Sequence, residues 1–293
     1  MVLAQLLING LIAGAIYALI ASGFSLVYST CKFINFAHGS VIAFSAYMLY
    51  FFFSMLGINF GFSVLFSIIL ASLLGYLINI LVYRQFRKRK AGSSILLIAS
   101  FALLILFESL LLLFFGADIR TIGYIKVAKG ISLFGAVITP LQLIIIFTAI
   151  ITFFGLYFFM KKSKIGKAMR AVADNKDVAE IVGISSECIY SWSFGLSSFI
   201  AGITGVLIGL EQNLEPVMGT AVIIKGFIAA IIGGIGNVYG AVIGGLLLGL
   251  TENFGVWYFP SGYKDAIAFV VLFLFLIFRP NGILGIKKGE DKR

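Results

Sequence analysis

Few side chains in this sequence are equipped for covalent or proton chemistry. There is one histidine, His38, and there are two cysteines, Cys31 and Cys188. A membrane-embedded active site needs His, Asp, Glu, Ser or Cys gathered at one depth, and the few candidates here are scattered. The cysteines do not have metal-ligand spacing, and both are predicted on the cytoplasmic side, where a disulfide is not expected. No G-x-x-x-x-G-K-[ST] loop occurs, so the chain cannot cradle ATP phosphates by that route. No catalytic residue, metal site or bound cofactor is therefore expected. Any use of ATP must come through a partner subunit.

The polar residues that remain fall into two turns and one loop. The first turn is Ile34-Asn35-Phe36-Ala37-His38-Gly39, and the second is Gly233-Gly234-Ile235-Gly236-Asn237. Each breaks an apolar pattern and precedes a helix rich in small residues, which is how interrupted transporter helices read. Aligned on Gly39 and Gly240, the two stretches share Ile, Gly, Val and Ile at matching positions. On the nine-span count the helices that follow run the same way, so the match is not read as an inverted repeat. Asn35, His38, Gly39, Gly234, Gly236 and Asn237 are the candidate residues of a translocation path. For each the alternative is structural. The two Asn residues can satisfy freed backbone groups, and His38 can either carry protons or hydrogen-bond across a helix interface. Glu108, Glu252 and Lys225 lie within apolar segments, where an ionised side chain is costly. Lys225 has Glu211, Glu215 and Glu252 as candidate partners.

The loop from Lys161 to Glu187 is the longest polar stretch. Helical periodicity runs from Gly166 to Val182, with Lys167, Arg170, Asp174 and Asp177 on one face. Ala168, Val172, Ala179 and Val182 gather on the other, and Gly183 is placed to stop the helix. An amphipathic helix of this kind either lies on lipid or docks a soluble partner. A lipid-facing helix wants Trp, Phe or Leu on its apolar side, so the Ala-rich face favours docking. Lys167, Arg170, Ala173, Asp174, Asp177 and Gly183 are the candidate docking residues.

The surrounding elements must be membrane spans. Of the 293 residues, 61% are hydrophobic and 12% charged. Apolar runs near the roughly 20 residues a bilayer requires recur at 4–28, 35–56, 60–83, 93–115, 140–160, 189–210, 219–232, 238–256 and 263–279. An all-α polytopic fold of eight to nine spans follows, with 219–232 short enough to be a half-helix. One membrane domain, 1–293, holds everything, with the docking loop inside 161–188. Nothing in the composition supports a soluble enzyme. The net charge of +10 reflects topology rather than nucleic acid. Its basic residues concentrate at Arg84–Lys90, Lys161–Lys176 and Lys287–Arg293, which the positive-inside rule places in the cytoplasm with the C-terminus. Small residues repeat at spacing four: Gly10, Gly14, Ala18 and Ser22; Ala201, Gly205 and Gly209; Gly240 with Gly244, and Gly245 with Gly249. Such stripes let helix backbones approach closely in lipid.

Four landmarks also carry a resemblance. Arg170 to Asn175, with Ala179 and Gly183-Ile184, resembles the ATPase-contacting loop of ABC importer permeases. I-N-F-A-H-G at 34–39, the run Gly226 to Gly236 continuing into Tyr239-Gly-Ala-Val-Ile-Gly-Gly, and R-P-N-G-I-L-G at 279–285 resemble signatures of the branched-chain amino acid permeases. They occur in the family's order along nearly the whole chain. The length and the first signature are similar to those of the smaller of the two paired permeases. Asp174 departs from the pattern, which usually has Glu after the alanine. The resemblance implies a cell-membrane importer with a second homologous permease, two cytoplasmic ABC ATPases that bind ATP, and an extracytoplasmic solute-binding protein. Branched-chain or other apolar amino acids are the implied substrates, with urea or short amides as an alternative class. The rival reading is an ion-coupled secondary transporter, which would need more mid-membrane acids than this chain offers.

Overall fold

A computed structural model describes residues 2–124, 130–133 and 136–285. Val2–Cys31 forms α1, and Ala37–Tyr50 forms α2, which runs into a π-helical turn at Phe51–Met55. Phe60–Ile78 (α3) continues through a second π-helical turn, Asn79–Tyr83, into Arg84–Lys88 (α4). Next come α5 (Ser93–Phe115), a small antiparallel pair β1 (Ile131–Leu133) and β2 (Ala136–Ile138), and α6 (Pro140–Lys162). The polar loop holds α7 (Lys164–Asp174) and α8 (Lys176–Ile181), and the chain ends with α9 (Ser186–Glu211), α10 (Met218–Gly233), α11 (Val238–Tyr258) and α12 (Lys264–Phe278).

Eight helical segments among the described residues are long and apolar enough to span a bilayer. The chain is thus an all-α polytopic membrane protein, and the β1–β2 pair is a small ornament of one loop. α10 is the short one. Its 16 residues reach about 24 Å at 1.5 Å per residue, less than the roughly 30 Å of hydrocarbon. It need not reach the surface, because its first turn starts inside the helical body. There the Glu108 carboxylate of α5 accepts hydrogen bonds from the backbone N–H and the hydroxyl of Thr220, both at 2.8 Å. A carboxylate from another helix satisfies donors that an N-terminus otherwise leaves open.

The small-residue stripes are the seams between helices. Gly10 and Gly14 of α1 lie against the backbone of α11 at Gly245, Leu246, Gly249 and Leu250. On its other side α11 sets Gly240 and Gly244 against Ala229 and Gly233 of α10. Gly205 and Gly209 of α9 meet Ile42, Ser45 and Ala46 of α2. Added β-carbons would collide with backbone at several of these contacts, so close packing explains the spacing. The outer faces of α3, α5, α6 and α12 carry exposed Phe66, Ile69, Ile98, Ile105, Phe147, Phe154, Phe273 and Phe278. These are surfaces for lipid or for another membrane subunit.

The two ends of the bundle differ. One carries Arg84–Lys90, Lys161–Lys164, α7 and α8, and is called here the basic end. At the opposite end an isolated backbone bridge joins Arg120 to Leu214, and Gln5 of α1 exchanges hydrogen bonds with Val137 of β2 at 3.1 and 2.8 Å. The basic run Lys287–Arg293 and the loop residues Lys126 and Lys129 lie outside the described residues.

Candidate functional site

The candidate docking segment is two helices rather than the single 166–182 helix its periodicity predicts. Ser163 starts α7 by accepting a 2.8 Å hydrogen bond from the Gly166 N–H. Asn175 then leaves helical geometry, with φ −144° and ψ 109°, and its side chain caps α8 by accepting from the Val178 N–H at 3.1 Å. Asn competes well for N-cap positions, and Asp177 in the first turn adds a favourable charge. Gly183 ends α8 at φ +88°. Its N–H donates to Glu180 and the next N–H, of Ile184, donates to Ala179. This is a Schellman closure, which favours glycine because a β-carbon is strained at that φ.

The break at Asn175 changes which residues face outward. In α7, Gly166, Met169 and Val172 are buried against the helical body, while Lys167, Arg170 and Asp174 are exposed and Ala173 is half-buried. In α8 only Ala179 is buried. Val182 does not join the inner face as the periodicity predicts. It stands out with Val178 and Ile181, at 68%, 55% and 83% exposure respectively. The segment therefore presents a charged α7 face beside an apolar α8 crest, with Asp177 also exposed. Exposed aliphatic side chains flanked by charge mark a contact surface better than a solvated one.

Arg170, Ala173 and Asp174 share a cleft of about 620 Å³ with Gly236 and Asn237, and its other walls include Lys32, Tyr157 and Tyr239. The 161–188 loop and the second polar turn thus meet at the basic end. Gly234 stays outside the cleft wall and forms a clasp with the C-terminal signature. At φ +108°, a β-carbon there would stand 2.6 Å from the Gly285 nitrogen. Ile283 and Leu284 donate backbone hydrogen bonds to Ile232 and Gly233 at 2.9 and 3.0 Å. Asn237 works in both directions. Its carbonyl caps α11 by accepting from Tyr239 and Gly240, and its amide donates to Leu284 at 2.9 Å.

The first polar turn sits elsewhere, packed into the body. Asn35 is buried and accepts a 2.8 Å hydrogen bond from the Tyr83 hydroxyl. His38 is buried against Gly23, with Nδ1 3.2 Å from the Ser197 hydroxyl of α9. Gly39 lies directly on the backbone of Gly219 in the first turn of α10. None of the three lines the cleft.

Two charged clusters complete the picture. Lys225 of α10 lies 2.5 Å from Glu252 of α11 and 2.7 Å from Asp265 of α12, and Tyr17 of α1 donates to Glu252 at 2.8 Å. Of the three candidate partners for Lys225, the structure selects Glu252, and Asp265 joins without having been foreseen. The second cluster joins Arg87 to Glu187, 100 positions apart. Only the basic character of the 84–90 run was available to hint at it.

Residues 6–276 match the family described as branched-chain amino acid transport system / permease component. The chain is 35% identical to the high-affinity branched-chain amino acid transport system permease protein BraD of Pseudomonas aeruginosa, across 98% of this chain and 97% of that one. It is 32% identical to the corresponding permease protein LivH of Escherichia coli K12, across 98% and 96% of the two chains.

Proposed function

The chain belongs to the branched-chain amino acid transport permease family, and from that premise we propose that it is the membrane-spanning permease subunit of an ATP-driven importer of branched-chain or similar apolar amino acids. The observation that carries the reading is full-length similarity to two permease components of such systems. The α7–α8 segment is its structural counterpart. Lys167, Arg170, Ala173, Asp174 and Asp177, bounded by Gly183, accompany the α8 crest of Val178, Ile181 and Val182 as the surface that receives a cytoplasmic ATPase. On this reading the basic end faces the cytoplasm, two ATPases supply the ATP chemistry, and the chain itself is not an enzyme. A second homologous permease completes the pore, and a binding protein outside the cell selects the substrate.

The cleft beside Arg170 and Asp174 suggests how force enters the pore. ATPase closure moves α7 and α8, and α7 shares that cleft with the Gly236–Asn237 turn, which starts α11. The residues of the first turn, Asn35, His38 and Gly39, belong to the moving wall of the path, since they join α2 to α9, α10 and the α3–α4 segment. The test is to purify the tagged chain from its own membranes in mild detergent and identify its companions. The reading expects two ABC ATPases and a second permease. Recovery of this chain alone, still transporting in liposomes without ATP, would establish a secondary transporter instead.

A further inference from the structure

A polar seam, open to solvent at Glu180 and Glu187 and buried from Asn79 inward, runs from the docking segment to the first turn. The Glu180 carboxylate at the end of α8 accepts a short hydrogen bond from Ser186, in the first turn of α9. The next residue, Glu187, is held by a two-pronged contact from Arg87 of α4: Nε to Oε1 at 2.9 Å and Nη2 to Oε2 at 2.8 Å. Nη2 also donates to Asn79 at 2.9 Å, and the Asn79 amide donates to Ser191 of α9 at 3.0 Å. The guanidinium lies 4.8 Å from the Tyr190 ring centre. Four residues beyond Asn79, Tyr83 is packed between Phe33 and Phe194 and donates to Asn35. Asn79 and Tyr83 are fully buried. They mark the two ends of the π-helical turn that joins α3 to α4.

Resting on the reading of α7–α8 as the ATPase contact, we propose that Arg87 is a positioning residue that transmits movement of α8 and the α9 entry to the Asn35 turn. Two features distinguish it from static glue. Arginine's planar fork fixes direction as well as distance, so a shift of Glu187 must be followed by α4. The element between Arg87 and Asn35 is a π-helical turn, a widened geometry frequent at functional positions. Rewinding this turn to α-helical geometry would shift the register by a residue and move Tyr83 away from Asn35, and that is the second state the proposal requires.

The experiment uses the complete importer, with its ATPases, reconstituted in liposomes. ATP hydrolysis, substrate uptake and subunit stoichiometry are measured for Arg87→Lys, Arg87→Gln and Tyr83→Phe. The inference expects assembled complexes that hydrolyse ATP within about twofold of normal, with uptake per ATP lowered roughly tenfold in both Arg87 variants. Lys fails with Gln because a single ammonium cannot replace the fork. Tyr83→Phe, which removes only one hydroxyl, should lower uptake per ATP at unchanged thermal stability, and it serves if the arginine variants do not assemble. Unchanged uptake per ATP, or uptake lost only in proportion to lost complex, would overturn the inference. A wild-type chain that never binds an ATPase would instead refute the docking reading itself.

Discussion

Lys225 carries a charge that is nearly buried and tightly paired. Its side chain is 14% exposed, and its partner Glu252 is 1% exposed. Removing one member of a buried pair strands the other, at a cost of about 3–5 kcal/mol. Lys225→Met should therefore lower the melting temperature of the detergent-solubilised protein markedly. The double variant Lys225→Met, Glu252→Leu should recover much of the loss, because an apolar pair of similar volume replaces the ions. Failure of the double variant to recover would trace the remaining loss to the Tyr17 hydroxyl, left without its Glu252 acceptor, or to a role of Lys225 beyond neutralising Glu252. The pairing of Lys225 with Glu252 was open to sequence reasoning because both charges interrupt apolar spans. Asp265 and Arg87 were not. Asp265 lies at a helix start, and Arg87 sits in a basic run whose topological meaning hides its individual contact with Glu187.

At the element scale, the apolar spans and the spacing-four stripes were legible, because lipid dictates the first and close backbone contact the second. The break at Asn175 was missed. Periodicity continues across it almost in phase, and the signal was a cap residue followed by Asp177. That break turns Val178, Ile181 and Val182 outward. Ile181→Asp should leave the protein in the membrane and cut recovery of the ATPases roughly tenfold, as expected for loss of an apolar anchor at an interface centre. Gly183→Val forces a branched residue to φ +88°, a conformation that costs L-residues about 1–2 kcal/mol. Uptake should fall while membrane content holds; normal uptake would show that α8 carries no docking role. Of the two polar turns, both looked like pore elements by composition. One lines the cleft beside α7 and the other is packed among helices, a difference that depends on contacts far apart in the sequence.

The whole molecule is a bundle whose internal seams are lined by small residues and whose outer faces are apolar. Its polar investment is concentrated at the basic end, where the loop between α6 and α9 meets the turn between α10 and α11. This distribution is the one expected of the proposed permease, which would receive force at that end. The most direct measurement is uptake of labelled leucine into proteoliposomes holding the purified assembly, with ion gradients dissipated and binding protein outside. The account predicts uptake only when ATP is present inside and the ATPases are bound. Uptake that persists without ATP, or that requires a proton or sodium gradient, would contradict it.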